Sequence, residues 1–549
     1  MKGEKLKNFI FDFVVVICII LFAIGVAPKT LQNDTFYTIK IGEYIYQNGI
    51  SDLTKDMYSW HELPYTYPHW LYDFGMFLIY NAFGQAGIYA STIIFTAILG
   101  MVVYLTCNKL SKNRVVSSIL TIGVMYLMKP YVAARAQLVT FILFVLTLYN
   151  IEMFLQNHKV RNAVMLIIIP LLITNLHCAV FPFYFVLYLP YLAEYIWVAI
   201  VDIDLDQRLL LFFNHILSKI TKKERFAEKK EKIKENISER KRKRKILRES
   251  PYRIKVKKDK WVLVLVIIMI IAAATGFLNP AGTGAYTYLY KTYQGNTTSS
   301  INEHLPLTLI ENHEFCFTII LFLAILIFTD TKIKLPDLFM LMGLTFLSFK
   351  SRRQVSMFAI LCAPILAKMI ASMFEKYDKE LCKKMMEFTV TVSGAVIVIS
   401  AFIIMSVKMV KPTLSEKYVN ESSYPVAAAD WMLKNLDVKN IKIYNEYNYG
   451  SYLLFRGIPV FIDSRCDLYT PEFNGNEKEG IEGRDIFSDA INIAGISTNY
   501  KTKFKEYGVT HVILYENSKL AMILEDDNDY KLLYNEGNFK IFERVTNPE

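Results

Sequence analysis

The sequence lacks the short motifs that mark common soluble catalytic domains. It contains no GxGxxG, no phosphate-binding P-loop and no nucleophile elbow, so it carries none of the usual signatures of dinucleotide-binding, triphosphate-binding or serine-hydrolase domains. Its seven cysteines lie mostly inside apolar runs, and Cys466 is the one that falls in the C-terminal part. That pattern provides neither a disulfide framework nor a CxxC metal site.

Charged residues are also scarce, at 21% of the 549 residues, whereas 53% of the chain is hydrophobic. The mean hydropathy is accordingly positive, at +0.27. Many apolar runs approach the roughly 20 residues that cross a bilayer core, which predicts a polytopic membrane protein. The first run, Phe9–Ala27, has no small-residue cleavage site after it and is predicted to be an anchor.

Eleven membrane spans are predicted from the apolar runs. They lie at residues 8–27, 87–107, 115–129, 136–156, 163–180, 183–202, 261–279, 315–330, 335–349, 355–373 and 389–410. A further apolar segment, Trp70–Tyr80, is too short to cross and is predicted to be an interfacial helix on the outer surface.

The distribution of lysine and arginine predicts the orientation. The net charge of +11 is concentrated in loops that face the cytoplasm if the N-terminus is cytoplasmic. The loop 204–260 is the most basic of them. Its Glu/Lys spacing favours helix, and we expect it to rest against anionic lipid rather than to bind nucleic acid. The first loop, 28–86, and everything after residue 410 are then exterior.

The segment "FKSRRQ" conflicts with that charge trend, because the topology places it outside. It contains Lys350, Arg352 and Arg353 at the start of a predicted helix, and Arg135 and His177 fall on the same side. Snorkelling of long side chains to lipid headgroups would explain Lys350 alone. Adjacent arginines at a helix N-terminus favour an exterior site for phosphate or pyrophosphate.

The first loop carries the acidic candidate. Asp34 follows the first span within "NDTFYTIKIGE", whose apolar spacing predicts a helix from Thr35 to Tyr46. An alternative role for Asp34 is a helix N-cap. His69 precedes the interfacial segment and is a candidate for contact with a phosphate.

The region 411–549 lacks long apolar runs and alternates predicted helices and strands, which indicates an extracytoplasmic α/β domain after a transmembrane domain of residues 1–410. Strands are predicted in "NIKIYN", "IPVFID" and "VTHVILY", followed by a hairpin that turns at Glu536-Gly537. Asp463, Arg465 and Asp467 follow the second of these strands, where open sheets bind ligands; a structural ion pair between Asp463 and Arg465 is the alternative.

The motifs together resemble the GT-C superfamily of membrane glycosyltransferases. The matching elements are "NDTFYTIKIGEYI" and "YPHWLYDFGMFLIYNAFGQAGIYA", the second being similar to a segment of aminoarabinose and mannosyl transferases. "GFLNP", "INEHLP", "SRRQVSMFAI" and "NEYNYGSYLLFRGIPVFIDSRCDLY" resemble a bacterial branch of GT-C-like proteins. The chain has no second acid beside Asp34. In place of the Trp-Trp-Asp of oligosaccharyltransferases it has "EYNYGSY", which makes Glu446 and Tyr449 candidates on the acceptor side.

The resemblance implies sugar transfer from a polyprenyl-phosphate donor at the outer face of a bacterial plasma membrane. Asp34 would be the base and Glu303 a second carboxylate that orients the sugar or the acceptor. The cations would hold the departing phosphate. Membrane lipids are the other expected partners, and the acceptor is a glycan, a lipid or a protein. A divalent metal is compatible with the resemblance but is not supported by a clear motif, and no other cofactor is assigned.

Two other functional classes are compatible with a polytopic chain. A transporter or flippase for a lipid-linked or anionic solute predicts charges inside the spans and an internal repeat. The sequence has few such charges and no convincing repeat. A non-catalytic membrane scaffold with an exterior binding domain predicts that Asp34 is dispensable.

Overall fold

A computed structural model describes residues 2–50, 55–221, 225–249, 254–257, 259–295, 297, 301–475 and 482–545. The α-helices are Lys2–Val26, Asn33–Asn48, Trp70–Ser111, Arg114–Met128, Ala136–Asn157, Val160–Leu176, Phe181–Val186, Leu189–Ile203, Leu205–Thr221, Arg225–Glu249, Trp261–Ala274, Gly284–Gln294, His313–Phe328, Leu335–Lys350, Val355–Tyr377, Lys379–Thr389, Val392–Val410, Val426–Asn435, Tyr447–Phe455, Pro471–Asn474, Ile486–Ala494, Tyr500–Tyr507 and Lys519–Glu525. The strands are β1 (Ile254–Lys255), β2 (Ile333–Lys334), β3 (Ile443–Tyr444), β4 (His511–Tyr515), β5 (Tyr530–Glu536) and β6 (Phe539–Arg544).

The N-terminal three quarters of the chain form a helical bundle. Within the described residues, six helical segments are long and apolar enough to cross a membrane: Gly3–Val26, Trp70–Ser111, Ala136–Asn157, Cys178–Ile200, Arg352–Tyr377 and Val392–Thr413. Three shorter apolar helices accompany them, at Val160–Leu176, Trp261–Phe277 and His313–Phe328. All eleven predicted spans fall on helical segments, so the bundle is confirmed, while the count of eleven crossings stays a prediction.

The predicted interfacial segment and the following span form one continuous helical stretch with a break at Gly84. The break has φ 61° and ψ −153°, a backbone conformation that is essentially restricted to glycine. Residues 70–83 therefore point in a different direction from residues 85–111. This separation of the two pieces is what the sequence predicts, and the placement of residues 70–83 in the membrane interface stays a prediction.

The first loop contains the helix Asn33–Asn48, which packs tightly against residues 70–83. A Cβ atom added at Gly42 would lie 2.1 Å from the backbone oxygen of Asp73 and 2.6 Å from Cβ of Phe77. The absence of a side chain at Gly42 is therefore what allows the two helices to approach so closely. This contact fixes the helix that carries Asp34.

The basic segment 204–260 is helical at Leu205–Thr221 and Arg225–Glu249, as its Glu/Lys spacing predicts, whereas Ile254–Lys255 is the short strand β1. The helices Leu205–Thr221 and Arg225–Glu249 form a pair, and Arg240 donates to Asp206 at 2.8 Å. The second helix carries two ion pairs between residues one turn apart, Glu231 with Lys234 and Glu239 with Lys243. Such pairs stabilise an exposed helix modestly.

The C-terminal part is a small α/β unit around a four-stranded sheet in the order β3-β4-β6-β5. β3 runs parallel to β4, whereas β4 and β5 both pair antiparallel with β6. The strands predicted at "NIKIYN" and "VTHVILY" are confirmed. The final hairpin is confirmed as well, with Gly537 at φ 67° in its turn.

The prediction of a strand at "IPVFID" is wrong. Within the described residues this segment joins no strand of the sheet, and Val460 makes only an isolated bridge to Ser59 of the first loop. Ile458 and residues 460–462 are at most 1% exposed. A short run of buried apolar residues has the composition of a strand whether or not it joins a sheet, so periodicity could not separate the two cases.

A common core joins the first loop to the C-terminal unit. One hydrophobic cluster contains buried residues from Leu31 to Ile88 together with residues from Tyr424 to Phe542. At its polar centre, Arg465 pairs with Asp463 and with Asp56 of the first loop, each at 2.7 Å, and all three side chains are fully buried. The loop and the C-terminal unit are thus held as one body.

We expect Gly42→Ala to destabilise the protein, because its methyl group would overlap the backbone of Asp73. Gly75→Ala is the matched control, since a Cβ there meets nothing within 4 Å and alanine favours helix by up to about 1 kcal/mol. The midpoint of thermal unfolding in detergent should fall for the first variant and hold or rise for the second. Equal midpoints would contradict the close helix contact.

Arg465→Ala should destabilise the protein by about 3–5 kcal/mol, because it leaves two buried carboxylates without their cation. Arg456→Ala removes a partly exposed pair with Asp430 and should cost less than about 1 kcal/mol. Both can be measured by thermal unfolding in the same detergent. A loss at Arg456 as large as that at Arg465 would show that burial does not set the cost.

Candidate functional site

A cavity of about 1160 Å³ lies between the helical bundle, the first loop and the C-terminal unit. Its wall includes the start of the helix Asn33–Asn48, the segment before Ala136, the segment 301–306 and the turn that follows Phe349. The titratable side chains that line it are Asp34, His69, Arg135, His177, Glu303, His304, Lys350, Arg353, Glu446, Arg465, Cys466 and Asp467, besides tyrosines. Nine of the twelve predicted site residues are among them.

Asp34 and Glu303 share one guanidinium. The N-cap of the first-loop helix is Gln32, so Asp34 lies in the first turn and its carboxylate is not the cap. Nε of Arg135 lies 2.9 Å from Oδ2 of Asp34, and Nη1 donates to Oε1 of Glu303 at 3.2 Å. Burial would raise the pKa of Glu303, but the charges of Arg135 and Arg353 outweigh it and lower that pKa below its ordinary value.

Arg353 and Lys350 are the cations of this cavity that form no ion pair with a carboxylate of the described residues. Among the described residues, the guanidinium of Arg353 has a single hydrogen-bond partner, Oε1 of Gln137, at 3.3 Å. The ammonium of Lys350 lies 5.9 Å from the centre of the Tyr293 ring and forms no ion pair with a described residue. Two positive charges therefore remain available in the cavity wall.

Arg352 points away from its neighbour. Its Nε donates to the backbone oxygen of Pro306 at 3.3 Å, and its guanidinium lies 3.6 Å from Glu311. It does not line the cavity. The turn Arg352–Gln354 is a 3-10 turn ahead of the long helix, which separates the two side chains that the sequence alone treats as a pair. The expected double-arginine cradle is replaced by Arg353 and Lys350.

The two predicted histidines lie side by side, with ring centres 6.3 Å apart. Nδ1 of His69 is 2.7 Å from Asp73, and its Nε2 is 3.1 Å from the hydroxyl of Tyr37. Nδ1 of His177 is 2.8 Å from the hydroxyl of Thr140. Each imidazole is thereby held in a fixed orientation at the cavity wall.

The acceptor-side candidates separate into two groups. Glu446 lines the cavity, and burial raises its pKa to about 7. Tyr449 is fully buried in the core and donates to the backbone oxygen of Ile513 at 2.8 Å. Asp463 and Arg465 form the buried ion pair described above, which was the structural alternative for them. Of these four residues, Glu446 has the position of a ligand-binding side chain.

Asp467, which the sequence places after a predicted strand end with Asp463 and Arg465, is a further carboxylate in the cavity wall. It is partly buried, accepts a long hydrogen bond of 3.4 Å from Thr292, and has its pKa raised by burial. Asp73 was missed, although its position four residues after His69 on one helix face was a usable signal. Gln137 and Thr140 had no signal in the sequence beyond following Arg135.

The described part of the cavity wall contains no cluster of side chains arranged as metal ligands. Among the described residues, no group of three or more His, Cys, Asp or Glu side chains could hold a metal ion. The arrangement instead offers two carboxylates bridged by an arginine, two cations without an ion-pair partner among the described residues, and two imidazoles held by hydrogen bonds.

No protein-family profile and no curated protein matches the sequence. Two solved structures of the oligosaccharyltransferase from Archaeoglobus fulgidus do match the fold. The apo form gives a TM-score of 0.54, and the form tethered through a disulfide bond to an acceptor peptide containing the NVT sequon gives 0.52. Each is 12% identical to this chain. Each match extends over 92% of this chain and 69% of the oligosaccharyltransferase chain. At that identity the likeness establishes the fold alone.

Proposed function

We propose that the chain is a membrane glycosyltransferase that moves a sugar from a polyprenyl-phosphate donor to an acceptor hydroxyl at the outer face of a bacterial plasma membrane. The observation that carries the proposal is the charge arrangement of the first cavity. Lys350 and Arg353 have no carboxylate partner among the described residues, and they face the same space as Asp34 and Glu303. A phosphate leaving group needs cations, and an acceptor hydroxyl needs a base.

The dimensions of the cavity and the fold support this assignment. About 1160 Å³ is enough for a sugar phosphate with part of its lipid chain. Apolar side chains of the bundle, among them Phe141, Phe144 and Phe183, line the cavity beside the charged groups and would contact the lipid. The fold is shared with an oligosaccharyltransferase that has been captured with an acceptor peptide.

In the proposed reaction, Asp34 removes the proton from the acceptor hydroxyl. The ion pair with Arg135 engages Oδ2, and Oδ1 would take the proton. The acceptor oxygen then bonds to the anomeric carbon while the bond from that carbon to the phosphate oxygen breaks. The electron pair leaves with the phosphate, where Arg353 and Lys350 stabilise the negative charge. A single displacement of this kind inverts the anomeric configuration.

The remaining groups have positioning roles in this proposal. Arg135 orients Asp34 and Glu303 relative to each other, because it contacts both. Glu303 would accept hydrogen bonds from sugar hydroxyls, and Glu446 lies where the C-terminal unit would meet the acceptor. His69 and His177 are candidates for hydrogen bonds to the phosphate.

Asp34→Asn should lower the transfer rate by about 100-fold or more, because a general base contributes 10²–10⁴-fold. The assay follows label from a polyprenyl-phosphate-linked hexose in liposomes into water-soluble envelope glycans. Asp430→Asn, at an exposed ion pair, is the matched control and should transfer at the wild-type rate. Undiminished transfer by Asp34→Asn would remove Asp34 from the mechanism, and no transfer by the wild type would favour a scaffold.

The neighbouring arginines give a second test that needs no acceptor. Arg353→Ala should weaken binding of decaprenyl phosphate by about tenfold or more, since a charge-assisted hydrogen bond contributes about 1.5–3 kcal/mol. Arg352→Ala should leave that affinity nearly unchanged, because its guanidinium contacts Pro306 and Glu311 instead. Binding can be measured by the ligand-dependent rise in Tm. A larger effect at Arg352 would contradict the assignment of the phosphate to Arg353.

A further inference from the structure

A second cavity, of about 1210 Å³, lies at the far ends of two helices that also reach the first one. The helix Leu335–Lys350 begins at this cavity and ends at the first, and Val355–Tyr377 runs back from the first towards the second. At 1.5 Å per residue, the 16-residue helix places the two openings roughly 24 Å apart. The second cavity is therefore a separate feature that the proposed transfer reaction does not use.

Lysines dominate the wall of the second cavity. It is lined by Lys255, Lys332, Lys334, Lys368 and Lys376 against two aspartates, Asp330 and Asp337. Five ammonium groups facing two carboxylates leave an excess of positive charge. That excess is suited to an anion.

The acidic groups at this site are already paired. Both oxygens of Asp337 accept from Lys368 at 2.7 Å, and Asp330 pairs with Lys376. Behind the wall, Glu152 lies 3.3 Å from Lys334 and is 3% exposed. These carboxylates hold the inner lysines in place and do not neutralise the outer ones.

Lys255 and Lys332 are the outer lysines, and both are exposed. Neither has an ion-pair partner among the described residues. Lys255 lies directly opposite Lys334 in the parallel pairing of β1 with β2. Like charges opposite each other on paired strands are destabilising, so an anion placed between them would stabilise the pairing.

Exposed apolar side chains lie close to these lysines along the chain. Ile254 is 45% exposed, and Ile327 and Phe328, just before the loop that carries Lys332, are 60% and 83% exposed. A ligand that contacts both the lysines and these side chains must be amphiphilic. A free anion would use only the charged part.

We propose that the second cavity binds the phosphate group of an anionic membrane lipid. The lysines would act as point charges around the phosphate oxygens, and the acyl chains would lie along the exposed apolar residues. The site lies at the opposite ends of the shared helices from Asp34, so its ligand is distinct from the sugar donor of the proposed transfer.

The test is a titration of the purified protein with phosphatidylglycerol in mixed micelles, followed by the rise in Tm. Phosphatidylcholine has no net charge and serves as the reference lipid. In the double variant Lys255→Gln/Lys332→Gln, the apparent affinity for phosphatidylglycerol should fall roughly tenfold or more, since two surface lysines near an anionic lipid are removed. Lys434→Gln/Lys439→Gln, at two exposed lysines of the C-terminal unit, should keep the wild-type affinity.

Further measurements separate the possible outcomes. Decaprenyl phosphate binding at the Arg353 site should be unchanged in Lys255→Gln/Lys332→Gln, so failure of one proposal does not imply failure of the other. A rise in Tm with inorganic phosphate in the wild type but not in the double variant would show that the lysines bind phosphate. That result would overturn the assignment of the site to a lipid in favour of a soluble anion. Equal phosphatidylglycerol affinity in the wild type and the double variant would overturn the proposal.

Discussion

The guanidinium of Arg135 sets the charge balance of the first cavity. It contacts Asp34 of the first loop and Glu303 of a loop far along the chain. Because one positive charge is shared by two carboxylates, the acids retain a net negative charge, while Lys350 and Arg353 keep their positive charges. Charges of both signs thus line one cavity, where the charges of Arg135 and Arg353 outweigh burial and lower the pKa of Glu303.

Much of the fold could be read from the sequence, because it depends on local signals. Apolar runs predicted the helices, and glycine in the turn predicted the final hairpin. The strand prediction for "IPVFID" was wrong because this segment contacts the first loop, as in the bridge between Val460 and Ser59. The common core of the first loop and the C-terminal unit was likewise hidden, since contacts between segments about 400 residues apart leave no periodic trace in either one.

The predicted membrane topology was enough to indicate which loops contribute to the candidate site. Loops expected on one side of the bundle do meet, and so Asp34, Arg135, Glu303 and Arg353 line one cavity. The directions of the side chains could not be predicted from the sequence, because they depend on packing. Arg352 and Arg353, for example, point in different directions from one 3-10 turn. Arg465 illustrates the same limit, since only its full burial beside Asp56 distinguishes a structural ion pair from a ligand-binding one.

The backbone break at Gly84 has a positional consequence for the first cavity. Residues 70–83 lead from this break to His69, and their close packing against the helix Asn33–Asn48 at Gly42 holds that stretch in place. Because the stretch is about 20 Å long, a backbone direction that differed by about 10° at Gly84 would place the imidazole roughly 3–4 Å away, more than the length of a hydrogen bond. The conformation that glycine permits at residue 84 is therefore part of what places the imidazole beside Tyr37 and His177.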